Sequence, residues 1–90
     1  MRIAVIGTGY VGLVSGACFA HFGFDVTCVD QNVEKIVALE SGIIPIYEPG
    51  LDAVVAHSRS IGNLVFSTDL SSAEQGADAV FIAVGTPTKL

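Results

Sequence analysis

The sequence predicts an α/β fold, a parallel sheet with helices on both faces. Three observations carry that reading. Four short runs rich in β-branched and apolar residues alternate with stretches of helical composition: "RIAVI" at 2–6, "VTCVD" at 26–30, "LVFST" at 64–68 and "DAVFIAVGTPT" at 78–88. The runs are unbroken rather than alternating, as strands are when a sheet is covered on both faces. The chain is 51% apolar and only 14% charged, so it can form a packed core and lacks the balance of a disordered segment.

Each element has a local reason. Residues 2–6 are a buried strand, ended by a glycine at once. "YVGLVSGACFAHF", from Tyr10 to about Phe22, is a helix. Val11, Val14, Cys18 and His21 recur at helical spacing, and Gly16 and Ala17 add a small-residue face that permits close packing on the sheet. Gly23 stops this helix, and 26–30 forms the second strand, ending in a carboxylate. "NVEKIVALESG", 32–42, is an amphipathic helix with Asn32 as N-cap and Gly42 at its close. "IIPIYEPG", 43–50, has two prolines and no helical period, and reads as an extended loop. Pro49-Gly50 then starts a helix over 51–62. After the strand at 64–68, "SSAEQGA" at 71–77 pairs Ser71 with Glu74 at capping-box spacing and predicts a short helix. The strand over 78–88 is the most apolar and runs into a Gly-Thr-Pro turn. The order βαβααβαβ with right-handed crossovers is the first half of a Rossmann-type, doubly wound parallel sheet, with strand order 3-2-1-4.

Composition narrows the function. Ninety residues form one domain at most. The net charge is −5 and no basic cluster occurs, which argues against nucleic acid as a partner. No apolar run reaches the roughly 18 residues of a membrane span, and the N-terminus lacks the order of a signal peptide. The expectation is a cytoplasmic protein with no membrane partner. Cys18 and Cys28 lie outside C-x-x-C spacing and read as two buried small apolar side chains. His21 and His57 have no ligand partners at metal spacing, so no metal site is expected and both histidines read as surface or rim residues.

"GTGYVG" at 7–12 matches G-x-G-x-x-G, a weak pattern by itself. Here it follows a strand and opens a helix. Gly7 suits the tight turn, Gly9 leaves room for a pyrophosphate to approach the backbone, and Gly12 lets helix and strand pack closely. Free N–H groups at the helix start favour phosphate. Asp30 ends the second strand, where a carboxylate accepts hydrogen bonds from the adenosine ribose and repels a 2′-phosphate, so NAD is favoured over NADP. Its bland alternative is a cap for the helix beginning near Asn32. Lys35, one turn into that helix, can reach the ribose or a phosphate, or stand as a solvated surface lysine. Gly85 and Thr86, in "VGTPT" at 84–88, fall beyond a strand's carboxyl end, where such sheets bind ligands; the alternative is a plain proline turn.

"MRIAVIGTGYVGLVSGACFAHFGFDVTCVD", "IPIYEPGL" and "FIAVGTPT", in this order, resemble the N-terminus of the UDP-glucose/GDP-mannose dehydrogenases across essentially the whole chain. The resemblance implies an NAD-dependent, four-electron oxidation of the 6-hydroxymethyl group of a nucleotide sugar, using two NAD and passing through a thioester. The UDP-sugar substrate is expected to be UDP-glucose, with GDP-mannose or a UDP-N-acetylhexosamine as alternatives. It implies cofactor contacts for Tyr10 and Val11 in the turn, Asp30 and Lys35 at the ribose, and Thr86. Ile46, Tyr47 and Glu48 lie in a family motif with no evident chemical role and are expected to be structural. The family's thiol nucleophile and its supporting groups lie far downstream, so neither Cys18 nor Cys28 carries that role. Residues 1–90 are thus expected to be the N-terminal part of a single NAD-binding domain of a longer, homo-oligomeric enzyme. Its central helix and UDP-sugar domain would lie elsewhere, and the part alone would be inactive, with an unpaired apolar sheet edge. A non-catalytic NAD-sensing module is the competing class.

Overall fold

The computed structural model describes residues 1–45 and 48–83. Its elements are β1 (Arg2–Ile6), α1 (Tyr10–His21), β2 (Asp25–Val29), α2 (Val33–Glu40), α3 (Leu51–Ile61), β3 (Leu64–Ser67), α4 (Leu70–Gln75) and β4 (Ala79–Ile82). All strand pairs are parallel and the sheet order is β3-β2-β1-β4, as the sequence predicts. No helix among the described residues is long and apolar enough to cross a membrane.

The register stacks apolar residues into rungs. Ile3 pairs with Val26, and Val26 with Leu64; Val5 pairs with Cys28, and Cys28 with Phe66. With a side-chain period of two, these six residues share one face of the sheet. They form the core with Leu13, Ala17 and Ala20 of α1 and Leu51 and Val55 of α3. On the other face α4 lies against β1 and β2. Arg59 ties two helices together: its guanidinium donates to Glu40 O at 2.6 Å, at the end of α2, and stands 5.7 Å from the centroid of the Phe66 ring.

Two local expectations are corrected. Cys18 is exposed, whereas Cys28 is buried as expected. The buried stripe of α1 is Gly12, Leu13, Gly16, Ala17 and Ala20, and the spacing of Val11, Cys18 and His21 marks the outer face. The helix is apolar on most of its circumference, so periodicity does not select the inner side. Steric fit does: a Cβ on Gly16 would stand 2.5 Å from Cys28 Sγ, so only a glycine fits there against the sheet. Second, α4 is capped by Asp69, whose carboxylate accepts the Ser72 N–H at 3.1 Å, and not by a Ser71–Glu74 box. A carboxylate is the stronger acceptor at the positive helix end and starts the helix at Leu70. Within the described residues the last strand is β4, Ala79–Ile82, followed by Ala83; the rest of the predicted 78–88 segment lies outside the described residues. Asn32 caps α2 as predicted, accepting the Lys35 N–H at 3.2 Å, and Gly50 caps α3. Among the described residues β4 is an outer strand of the sheet, and Val80, Phe81 and Ile82 are exposed.

The contact between Gly16 and Cys28 gives an expected outcome. Gly16→Ala should destabilise the fold by about 1–3 kcal/mol, the cost of overpacking a filled site. Cys28→Ala removes the obstructing sulfur, so the double variant should be less destabilised than the sum of the single variants. Urea unfolding of the three variants checks both statements.

Candidate functional site

The site lies at the carboxyl ends of β1 and β2. Chain direction reverses at Gly7, whose φ of +105° belongs to the region that favours glycine. The Gly7 N–H donates to Val29 O at 2.7 Å, fixing the turn to the end of β2. The next residue, Thr8, is buried at 2% exposure. Its hydroxyl donates to Asp30 Oδ2 at 2.7 Å and its N–H to the same oxygen at 3.1 Å. The Asn32 N–H donates to Asp30 Oδ1 at 2.9 Å. The Lys35 ammonium stands 3.9 Å from Asp30 Oδ2, an ion pair rather than a hydrogen bond. Asp30 and Lys35 are therefore together, and Asp30 also makes the local turn to Asn32 that its bland alternative described.

The Asp30 carboxyl sits below the ordinary carboxylate range. Partial desolvation pushes it up, but the Asn32 N–H, the two Thr8 donors and the Lys35 charge together outweigh that. The group is an anion near neutral pH and can accept a ligand hydroxyl.

α1 begins at the same point. The Leu13 N–H bonds to Gly9 O, so the N–H groups of Tyr10, Val11 and Gly12 precede the first intrahelical bond. Gly9 provides no side-chain cap, in contrast to Asn32 and Asp69 at two other helices. The motif glycines differ in cause. A Cβ on Gly12 would lie 1.9 Å from Gly7 O, so packing forbids it. A Cβ on Gly9 would meet nothing within 4 Å among the described residues, and φ of −72° suits any residue. The protein itself does not require glycine at 9. The clear space over a helix N-terminus fits a phosphate brought close to backbone N–H groups. With a free acceptor on Asp30 nearby, these residues fit the two ends of an adenine dinucleotide's ribose–phosphate unit.

Tyr10 and Val11 are exposed in the first turn of α1. The Tyr10 hydroxyl donates to Glu48 Oε1 at 2.9 Å, linking the glycine turn to the loop ahead of α3. This hydrogen bond and the negative charge of Glu48 raise the phenol above its ordinary value. Sequence reasoning gave Glu48 no chemical role, and no short-range spacing could join positions this far apart in the chain. Gly85 and Thr86, like Ile46 and Tyr47, lie outside the described residues. Burial pushes the Cys28 thiol up to about 12, so it is not a thiolate at neutral pH.

Three outcomes follow from this geometry, the first two at the motif glycines. Gly12→Ala should cost about 3 kcal/mol or more of stability, because the clash is with backbone. Gly9→Ala should unfold with the wild type but lose dinucleotide affinity by roughly tenfold or more, as its methyl group stands where a phosphate would approach. Thermal unfolding and calorimetric titration separate the two. For Tyr10, Glu48→Gln should lower the phenol's titration midpoint toward its ordinary value, since a neutral amide no longer opposes the phenolate. Carbon-13 NMR of labelled tyrosine reads this directly.

Comparison with known proteins agrees with the geometry. The family profile described as "UDP-glucose/GDP-mannose dehydrogenase family, NAD binding domain" matches residues 1–90. The UDP-glucose 6-dehydrogenase of Rhizobium meliloti is 58% identical over 89 residues, which is 99% of this chain and 20% of that protein. The UDP-glucose 6-dehydrogenase TuaD of Bacillus subtilis is 54% identical over 86 residues, 96% of this chain and 19% of that protein. Among solved structures, a ternary complex of GDP-mannose dehydrogenase from Pseudomonas aeruginosa superposes with a TM-score of 0.93 at 43% identity, covering 99% of this chain and 20% of that one. The UDP-D-ManNAc dehydrogenase of Pyrococcus horikoshii gives a TM-score of 0.92 at 36% identity over 99% of this chain and 21% of that one. The chain thus spans about a fifth of the length of the relatives it matches. With a profile match along its whole length and the turn, helix start and acid in place, the chain belongs to the UDP-glucose/GDP-mannose dehydrogenase family, and its residues are those of that family's NAD binding domain.

Proposed function

We propose that this chain is the N-terminal, cofactor-holding part of an enzyme that oxidises UDP-glucose to UDP-glucuronate with two NAD per turnover. The observation that carries the cofactor half is the open space at Gly9 beside the anionic Asp30. The preference for glucose is supported by the 58% and 54% identity to the UDP-glucose 6-dehydrogenases of Rhizobium meliloti and Bacillus subtilis. NAD, when bound, supplies the hydride acceptor. The residues of this chain bind and orient it: Gly7, Gly9 and Gly12 shape the turn, and the first N–H groups of α1, from Tyr10 and Val11, face the phosphates. Asp30 and Lys35 take the adenosine ribose; Gly85 and Thr86, outside the described residues, are read from the sequence as further cofactor contacts. The Asp30 charge disfavours the 2′-phosphate of NADP.

The oxidation chemistry belongs to residues beyond this chain. Cys28 is buried with its thiol protonated, and Cys18 lies on the outer face of α1. The parent enzyme is read as a cytoplasmic homo-oligomer whose other domain holds the UDP-sugar.

The test uses the full-length protein. NADH formation at 340 nm is expected with UDP-glucose, and much less with GDP-mannose or a UDP-N-acetylhexosamine; the reverse preference overturns the substrate. NAD binding without oxidation of any of the three supports a sensing module instead. Asp30→Ala should weaken NAD at least tenfold, the scale of a lost hydrogen bond to a charged group, and narrow the preference over NADP.

A further inference from the structure

The Asp30 carboxylate is more nearly filled than a ribose-binding acid need be. An ionised carboxylate offers about two acceptor positions on each oxygen. Oδ2 already receives both the Thr8 hydroxyl and the Thr8 N–H, with the Lys35 ammonium beyond. Among the described residues, Oδ1 receives only the Asn32 N–H. One position therefore remains, and it is on Oδ1. The Thr8 hydroxyl makes the shortest of the contacts, charge-assisted and with its donor buried. The N–H contacts come from backbone that the two turns fix, so the hydroxyl is the component that a side-chain change can remove.

We propose that Thr8 is a positioning residue for the cofactor: its side chain saturates Oδ2 of Asp30 and thereby presents Oδ1 as the single oxygen that accepts a ribose hydroxyl. The inference rests on the reading that Asp30 holds the adenosine ribose. It adds a specificity determinant inside the glycine turn, at a position the G-x-G-x-x-G pattern leaves free. Without the hydroxyl, one acceptor position on Oδ2 opens and competes for the ligand, and the carboxylate is held by backbone N–H groups and the Lys35 charge alone. The bond to NAD weakens, and the charge no longer meets a 2′-phosphate in a fixed place.

The experiment measures NAD and NADP dissociation constants by calorimetry at neutral pH, in the full-length protein, for the wild type, Thr8→Val, Thr8→Ser and Asp30→Ala. Thr8→Val keeps the shape and removes the donor. The expected result is a loss of NAD affinity of about tenfold, with a smaller change for NADP, so that the NAD/NADP ratio falls. Thr8→Ser restores both affinity and ratio. If Thr8→Val does not fold, Thr8→Ala carries the same expectation with less steric demand. Unchanged NAD affinity in the variants lacking the hydroxyl overturns the proposal. So does an equal loss for both cofactors, which a merely structural role would give. Failure of Thr8→Ser to restore the ratio also overturns it, because volume rather than the hydroxyl would then be the cause. Asp30→Ala separates the two levels: if it binds NAD as the wild type does, the reading of Asp30 fails, whereas a strong Asp30→Ala effect with silent Thr8 variants overturns the Thr8 inference alone.

Discussion

The close approach of α1 to the sheet is the constraint on which the rest depends. Gly12 rides against the carbonyl of Gly7, and Gly16 against the sulfur of Cys28. At both positions a methyl group would push the helix outward. Because the helix lies so near, its first N–H groups open directly beside the end of β1, and Thr8 is carried into contact with the acid that ends β2. The distance between helix and sheet therefore fixes the distance between the glycine turn and the Asp30 carboxylate, the two groups proposed to hold phosphate and ribose. Packing energy and ligand geometry come from the same two glycines.

Electrostatics then decides which ligand the frame accepts. Desolvation opposes the Asp30 anion, and three donors and a nearby ammonium prevail over it. Its folded value lies below that of the unfolded chain, so the stabilisation it brings is present above the ordinary carboxylate range and is lost as pH falls through the folded value. Near neutral pH the charge is complete. It attracts hydroxyl donors and repels a phosphate at the same place. Glu48 adds a second acid near the turn, engaged by the Tyr10 hydroxyl, so that the loop ahead of α3 is tied to the first turn of α1.

The sheet was legible because buried parallel strands announce themselves as apolar runs between glycine turns, and every element and the strand order followed from that. The inner face of α1 was not legible, because Val11, Val14 and Cys18 carry the same apolar signal as the residues that do face the sheet. Only the steric demands at Gly12 and Gly16 separate the faces, and at Gly16 that demand comes from Cys28 in the strand that follows. The helix start at Leu70 was misplaced because Ser71 and Glu74 satisfy a local pattern, while Asp69, two residues earlier, is the stronger acceptor. At the site, Gly7, Gly12 and Asp30 were readable from the turn and the strand that follows. The contacts of Thr8 with Asp30 and of Tyr10 with Glu48 join separate turns, so no local spacing encodes them.

The three motif glycines separate what the fold needs from what the ligand needs. Gly7 answers to its own backbone angle and Gly12 to the carbonyl of Gly7, so both would be required in a domain that bound nothing. Gly9 answers to neither. Its φ is ordinary and the space its side chain would enter is clear of protein. A glycine there costs conformational entropy on folding and lengthens no contact in return. A domain under constraint only to fold would gain by placing a capping side chain such as serine or aspartate at that position, since it is the N-cap of α1. The absence of that cap leaves the helix N-terminus open to an outside acceptor, and the acceptor position on Asp30 that no described residue fills leaves a second. Both openings lie at the same end of the sheet. Together they suit a ligand with an anionic group and a hydroxyl held a short way apart, and the proposed ribose–phosphate contacts of NAD meet that requirement.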